Sequence, residues 1–130
     1  GHRITNVPGS SDTFLAGIVA YGNEAKTEFL HVPAGLIAAR GAVSPEAAEA
    51  MALGAASRTG ADVAVGVTGI AGPGGGSDEK PVGLVYIGLQ SPRGVNVTKN
   101  LFGGSRQEIK LRASQAALNM IRMELLAADS

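Results

Sequence analysis

A glycine-rich loop, residues 69–76, contains the residues best suited to hold a ligand. It follows an apolar run of strand type, and Thr68 adds a hydroxyl at its rim. Glycine lacks a Cβ, so this backbone can adopt positive φ angles and bring N–H groups close to a ligand. So many glycines cost entropy unless the backbone shape matters, which favours a ligand site over a plain surface turn. The glycines are Gly69, Gly72, Gly74, Gly75 and Gly76.

A second group of chemically capable side chains lies in residues 21–26, which read Tyr-Gly-Asn-Glu-Ala-Lys. Tyr21 ends a predicted strand, and Lys26 falls in the first turns of the next predicted helix. A phenol and an amine could carry protons there, but a lysine becomes a useful base only where burial or a nearby cation lowers its pKa. Spacing alone favours the simpler interpretation, a surface lysine and a tyrosine at the rim of the core.

Arg106 is the third candidate, at the first position of the last predicted helix, just after Gly103 and Gly104. Helix N-termini attract anions, and an arginine there can hold a phosphate through two hydrogen bonds. The alternative is a solvent-facing arginine.

Composition and motif spacing exclude several classes of site. The chain has no cysteine, which excludes disulfides and thiolate metal sites, and its two histidines lack the spacing of metal ligands, so we expect no metal and no cofactor. The formal net charge is zero, and no basic stripe with interleaved aromatics occurs, which argues against nucleic-acid binding. No apolar run approaches a membrane span. Neither a Walker loop nor a Rossmann fingerprint is present.

The pattern along the 130 residues predicts one α/β domain with a mixed sheet between helical layers. Helices are predicted over about 23–30, 45–59 and 106–126, with a further helical turn at 36–39. Cap chemistry supports them: Asn23 and Ser44 fit N-caps, Gly60 fits a C-terminal position, and Ser105 with Glu108 forms a capping box. Strands are predicted over 14–21, 62–70, 81–89 and 95–102, the first of them buried on both faces. The last helix is expected to face the core with Leu111, Leu118, Ile121 and Leu125.

Three segments taken together resemble the CinA C-terminal domain family. They are residues 21–26, residues 67–76 (Val-Thr-Gly-Ile-Ala-Gly-Pro-Gly-Gly-Gly) and residues 80–85 (Lys-Pro-Val-Gly-Leu-Val). The likeness runs from residues 7–11 to the last helix, and the Thr-Gly-Ile-Ala-Gly-Pro string is highly specific. It implies a three-layer α/β/α sandwich with a mixed, mostly parallel sheet.

The family is similar to nicotinamide-nucleotide amidases, which convert nicotinamide mononucleotide to nicotinic acid mononucleotide and ammonia without metal. The resemblance implies a serine nucleophile assisted by a tyrosine and a lysine, here Tyr21 and Lys26, and it matches Thr68 to the family's site threonine. By the same resemblance, the substrate-binding residues are Asn23, Gly69, Ala71, Gly72, Gly74 and, on the phosphate side, Arg106.

The chain departs from the family pattern in two places. Gly22 stands where the family usually has serine. The family's nucleophile lies in a Glu-Ser-x-Thr-Gly-Gly motif, which residues 1–130 do not contain; Ser10 and Ser11 do not match it. We therefore expect a single domain lacking its first strand and the start of its first helix, inactive as given, with an open sheet edge that favours self-association.

The expected partner is a small nucleotide substrate, with no nucleic acid and no membrane, and we expect a cytoplasmic location. The family allows a homo-oligomer and an N-terminal pyrophosphatase-like domain in a longer protein. Two alternatives stay open: a non-catalytic nucleotide-binding module, and an interaction module associated with competence.

Overall fold

The computed structural model describes residues 1–128, which form helices and a single three-stranded sheet. The helices are α1 (His2–Thr5), α2 (Asn23–Leu30), α3 (Ala34–Arg40), α4 (Pro45–Thr59) and α5 (Arg106–Ala128). The strands are β1 (Ala64–Gly69), β2 (Leu84–Ser91) and β3 (Gly94–Leu101). In this part of the chain, no helix has both the length and the hydropathy that a bilayer span requires.

Local cap chemistry sets most helix ends as predicted. At α4, the Ser44 hydroxyl accepts from Ala47 N at 3.1 Å, and Gly60 ends the helix at a φ of 73°. At α5, Ser105 N donates to a Glu108 carboxylate oxygen at 3.0 Å while Glu108 N donates to Ser105 Oγ at 3.2 Å, a reciprocal capping box. The assignment of Asn23 as an N-cap is wrong by one residue, because Gly22 has the extended cap conformation and Asn23 is already helical.

The sheet has the order β1-β2-β3, and both strand pairs are antiparallel. The central strand pairs Ile87 with Val67 on one side and with Thr98 on the other. The predicted hairpin of β2 and β3 is confirmed. The mostly parallel character predicted for the sheet is not confirmed, since every pairing among residues 1–128 joins strands running in opposite directions.

The two faces of β2 pack against different helices, which confirms the three-layer arrangement. Val85 and Ile87 lie on one face and form a buried cluster with Ile109, Ala113 and Ala117 of α5. Gly88, on the opposite face, lies against α4. Side chains alternate between faces along a strand, so α4 and α5 must cover opposite sides of the sheet.

Glycines let α4 approach the sheet at backbone distance. A Cβ on Gly88 would lie 2.6 Å from Ala48 O, and a Cβ on Gly66 would lie 2.8 Å from both Ala48 O and Ala52 N. No side chain fits into such a gap, so the helix backbone rests directly on β1 and β2.

The strand predicted at residues 14–21 is wrong. This segment has no strand pairing, and Leu15, Ile18 and Val19 are exposed, Val19 to 91%. Residues 13–18 and residues of β1 both line an apolar cavity of about 390 Å³, and within residues 1–128 no strand pairs with residues 14–21. A continuous apolar run marks a strand only where a neighbouring strand lies close enough to pair with it.

The face predicted for the last helix is also wrong in part. Leu111 is 60% exposed and Leu125 is 51% exposed, whereas Ile109, Ala113 and Ala117 are buried. These three residues recur at intervals of four, and the alanines let α5 lie close to β2. The larger leucine side chains are therefore left on the outer surface.

Candidate functional site

The glycine loop, which joins β1 to β2, leaves a run of backbone donors free. Gly72 and Gly75 have φ angles of 78° and 87°, in the region that only glycine adopts readily. A Cβ on Gly72 would lie 2.5 Å from Val82 Cγ1, so no larger residue fits there. Within residues 1–128, the N–H groups of Ala71, Gly72 and residues 74–76 donate to no protein acceptor. Pro73, which has no N–H, interrupts the run; free backbone N–H groups in such loops are the donors from which anion-binding nests are built.

Arg106 connects this loop to Tyr21. Its Nη1 donates to Gly72 O at 2.8 Å, and its Nη2 donates to the Tyr21 hydroxyl oxygen, also at 2.8 Å. Arg106 is the first residue of α5, and Tyr21 ends the extended segment before α2. One guanidinium therefore joins residues that are 34 and 85 positions away from it in the sequence.

Lys26 contacts the main chain of the same tyrosine. The residue is buried, with 7% of its surface exposed, and its Nζ donates to Ala20 O at 2.9 Å and to Tyr21 O at 3.1 Å. Desolvation by burial lowers the pKa of Lys26 from the ordinary value of 10.5. The simpler sequence interpretation, a surface lysine, is wrong for this residue, and burial shifts its protonation equilibrium towards the neutral amine.

Thr68 is buried at the end of β1, where its hydroxyl donates to Ala42 O at 2.6 Å. This bond ties the strand to the connection between α3 and α4. A hydroxyl has one hydrogen to donate, so Thr68 can only accept a further hydrogen bond from a ligand.

The other predicted substrate-binding residues, Gly69, Ala71, Gly74 and Asn23, have different surroundings. Gly69 ends β1 opposite Val85, and Ala71 packs against the cluster between β2 and α5. Gly74 is exposed with open space where a Cβ would be. Asn23 lines a shallow groove with Glu24, Thr27 and residues of α3. Hydrogen bonds thus link Tyr21 to Lys26 through its main-chain carbonyl and to Arg106 through its phenol, and Arg106 to Gly72; Asn23 has no hydrogen bond in this group.

Lys80, at the end of the glycine loop, makes a contact that the sequence did not predict. Its Nζ donates to Arg40 O at 2.9 Å, at the C-terminal end of α3, where a helix favours a cation. Ser77 Oγ accepts from Lys80 N at 3.0 Å, which fixes the tip of the loop. The only signal in the sequence was the position of Lys80 beside the glycine run, where it reads as a charged loop residue.

Comparison with known proteins decides the family. The model of the CinA C-terminal domain matches residues 1–125.

The chain belongs to the CinA C-terminal domain family.

A CinA-like protein from Desulfotalea psychrophila is 53% identical over 124 residues, which is 95% of this chain and 30% of that relative. Among solved structures, the competence/damage inducible protein CihA from Agrobacterium tumefaciens is 43% identical with a TM-score of 0.89, over 97% of this chain and 75% of that one. The competence damage-inducible protein A (ComA) from Klebsiella pneumoniae is 28% identical with a TM-score of 0.91, over 96% of this chain and 78% of that one. The chain spans about 30% of the length of the curated CinA relatives it matches.

Proposed function

We propose that this CinA domain binds a pyridine mononucleotide and, together with a serine nucleophile, hydrolyses nicotinamide mononucleotide to nicotinic acid mononucleotide and ammonia. The observation that carries the proposal is the set of free N–H groups at Ala71, Gly72 and residues 74–76, next to the hydrogen-bonded group of Tyr21, Lys26 and Arg106. Preorganised backbone donors of this kind stabilise the oxyanion that forms when a carboxamide is attacked.

The contacts of Lys26 suit a general base. A neutral amine has two N–H bonds and one lone pair. In this site both N–H bonds have acceptors, Ala20 O and Tyr21 O, so the lone pair remains for an incoming proton. The lowered pKa of Lys26 raises the fraction of the residue that is in this form.

The proposed reaction has two balanced halves. The serine oxygen attacks the carboxamide carbon as Lys26 takes the serine proton. The tetrahedral intermediate collapses, and the C–N bond breaks as Tyr21 and Lys26 return the proton to the departing nitrogen, which releases ammonia and leaves an ester on the serine. Water attacks the ester with the same base, so nicotinic acid mononucleotide leaves and the serine hydroxyl is restored.

Substrate binding in this proposal uses the loop and its neighbours. Gly69, Ala71, Gly72 and Gly74 would lie against the nucleotide, and Thr68 would accept a hydrogen bond from it. Arg106 has five N–H donors, of which two are engaged, so donors remain for a phosphate oxygen. Within residues 1–128 no hydrogen bond joins the Asn23 side chain to this group, and the proposal does not depend on it.

The serine has to be supplied by a segment with the Glu-Ser-x-Thr-Gly-Gly motif. Residues 1–130 do not contain that motif, and within residues 1–128 no serine hydroxyl is hydrogen bonded to Lys26 or Tyr21. A second candidate is a nucleotide-binding module without catalysis, which would use only the free N–H groups of the loop and Arg106. An association with competence is supported only by the printed names of relatives, which say competence/damage inducible.

The test compares ammonia release from nicotinamide mononucleotide by two proteins. One is this chain, and the other is the chain extended at its N-terminus by a segment carrying the Glu-Ser-x-Thr-Gly-Gly motif. Calorimetry measures nucleotide binding by both. We expect binding by both and ammonia release only by the extended protein. Lys26→Ala should then reduce turnover by ~10²-fold or more, as removal of a general base does.

Each other outcome has a defined meaning. Binding by both proteins with no ammonia release by either supports the binding module and refutes the amidase. No binding by either protein refutes both candidates. Near-normal turnover of the Lys26→Ala variant refutes the role given to Lys26. Turnover by this chain alone, without the added segment, would show that the nucleophile is another residue.

A further inference from the structure

The geometry points to Arg106 as the positioning residue of Tyr21. Its guanidinium holds the phenol oxygen with Nη2 and the glycine loop with Nη1, both at 2.8 Å. This inference rests on the proposed amidase function, in which Tyr21 relays a proton, and it gives Arg106 a task beyond contact with a phosphate.

The positive charge of Arg106 is in an electrostatically unfavourable position on its helix, which suggests that the side chain has a specific use. A cation in the first turn lies at the positive end of the helix dipole. The first turn of α5 contains one acid, Glu108, and its carboxylate accepts from Ser105 N in the capping box. Residues that break a local rule in a folded protein are most often found at functional sites.

Tyr21 depends on this contact for a fixed orientation. Its side chain is at the surface, and the residue is 78% exposed. In the described part of the chain, the hydroxyl has one hydrogen-bond partner, Arg106. A tyrosine this exposed samples several rotamers on a nanosecond timescale unless something holds it.

The direction of the hydrogen bond also determines what Tyr21 can do. A guanidinium only donates, so the phenol oxygen must accept from Arg106. The phenol hydrogen is then not used in this contact and remains available to a group at the loop. Arg106 therefore places Tyr21 as a hydrogen-bond donor, the form needed to give a proton to a departing amine.

The first experiment measures the motion of Tyr21 directly and needs no activity. The chain has two tyrosines and no tryptophan, so a Tyr86→Phe background leaves Tyr21 as the fluorophore. We expect time-resolved anisotropy to show restricted motion of Tyr21, and Arg106→Gln to increase the amplitude of fast depolarisation about twofold or more. Arg122→Gln is the matched control, because it removes a positive charge from α5 at a place where, among residues 1–128, the arginine hydrogen bonds only to Asn119 and Met123.

The second experiment separates positioning from phosphate binding. In the extended, active protein, Arg106→Gln should lower kcat about 10- to 100-fold, in addition to any rise in KM from a lost phosphate contact, since a misplaced proton donor loses part of its 10²–10⁴-fold contribution. Arg106→Lys keeps the positive charge and N–H donors but lacks the planar fork that reaches both partners, so it should recover part of kcat. Combined with Tyr21→Phe, Arg106→Gln should cause little further loss, because both changes remove one relay.

The outcomes distinguish this inference from the proposed function. Unchanged anisotropy in Arg106→Gln overturns the positioning role, whether or not the protein is an amidase. A rise in KM with kcat unchanged overturns it in favour of a phosphate ligand. A silent extended wild-type protein refutes the amidase, and increased Tyr21 motion in Arg106→Gln would then still support the placement of the phenol by Arg106.

Discussion

Replacing Lys26 with methionine should change the pH dependence of stability in a direction that the burial of the lysine fixes. Because burial lowers its pKa below 10.5, the unfolded chain binds more protons than the folded chain at pH values between the two pKa values. The free energy of unfolding of the wild type, minus that of Lys26→Met, should therefore rise with pH through this window, by up to about 1.4 kcal/mol per pH unit. It should level off above pH 10.5.

The plateau can be estimated from the contacts of Lys26. Above the window both proteins have a neutral side chain at position 26, and the methionine variant lacks the two hydrogen bonds to Ala20 O and Tyr21 O. Each bond should add about 0.5–1.5 kcal/mol to the free energy of unfolding of the wild type. Below the window the cost of burying the ammonium offsets this advantage. Urea unfolding followed by circular dichroism from pH 7 to 11 gives the difference, in which the other titrating groups largely cancel. A difference that is flat or falls with pH would refute the assignment of Lys26 as a desolvated amine.

Three further changes test the framework around the site. Thr68→Val keeps the shape of the side chain but removes its bond to Ala42 O, and urea unfolding should show a loss of about 1 kcal/mol; a valine variant as stable as the wild type would contradict a structural role for that bond. Gly88→Ala should lower the free energy of unfolding by about 1–3 kcal/mol, because the added Cβ would meet Ala48 O. Gly35→Ala is the control: it has open space on α3 and should be neutral or stabilising. Equal effects of the two changes would argue against close contact of α4 with the sheet. Val19→Lys tests the self-association expected from the sequence: Val19 is an apolar side chain exposed to 91%, so a lysine there should lower any association seen in sedimentation velocity, and unchanged association would place the contact elsewhere.

Features governed by a few neighbouring residues could be predicted from the sequence. The cap at Ser44, the glycine end of α4 and the capping box before α5 all follow from chemistry within three residues. The hairpin of β2 and β3 could be predicted for the same reason, because its turn residues lie between two strand-type runs.

Features that depend on distant parts of the chain could not be predicted. Residues 14–21 have the composition of a buried strand, but pairing requires a neighbour, and a cavity lies on the side facing β1. The period of α5 fits both a leucine face and an alanine face, and only the closeness of β2 selects the second. In the site, the approach of Arg106 to Tyr21 spans 85 positions, and that of Lys80 to Arg40 spans 40, so no local pattern reveals either contact.

The direct backbone contact between α4 and the sheet has a consequence for how this domain can diverge. Where interleaved side chains set a spacing, each exchange of a core residue shifts the elements slightly, and the shifts accumulate between relatives. Here Gly66 and Gly88 set the spacing, so we expect it to change little when neighbouring apolar residues are exchanged. The distance from Thr68 to the start of α4 should therefore stay nearly constant through most substitutions. Such constancy is consistent with the Klebsiella pneumoniae relative, which is only 28% identical yet superimposes with a TM-score of 0.91.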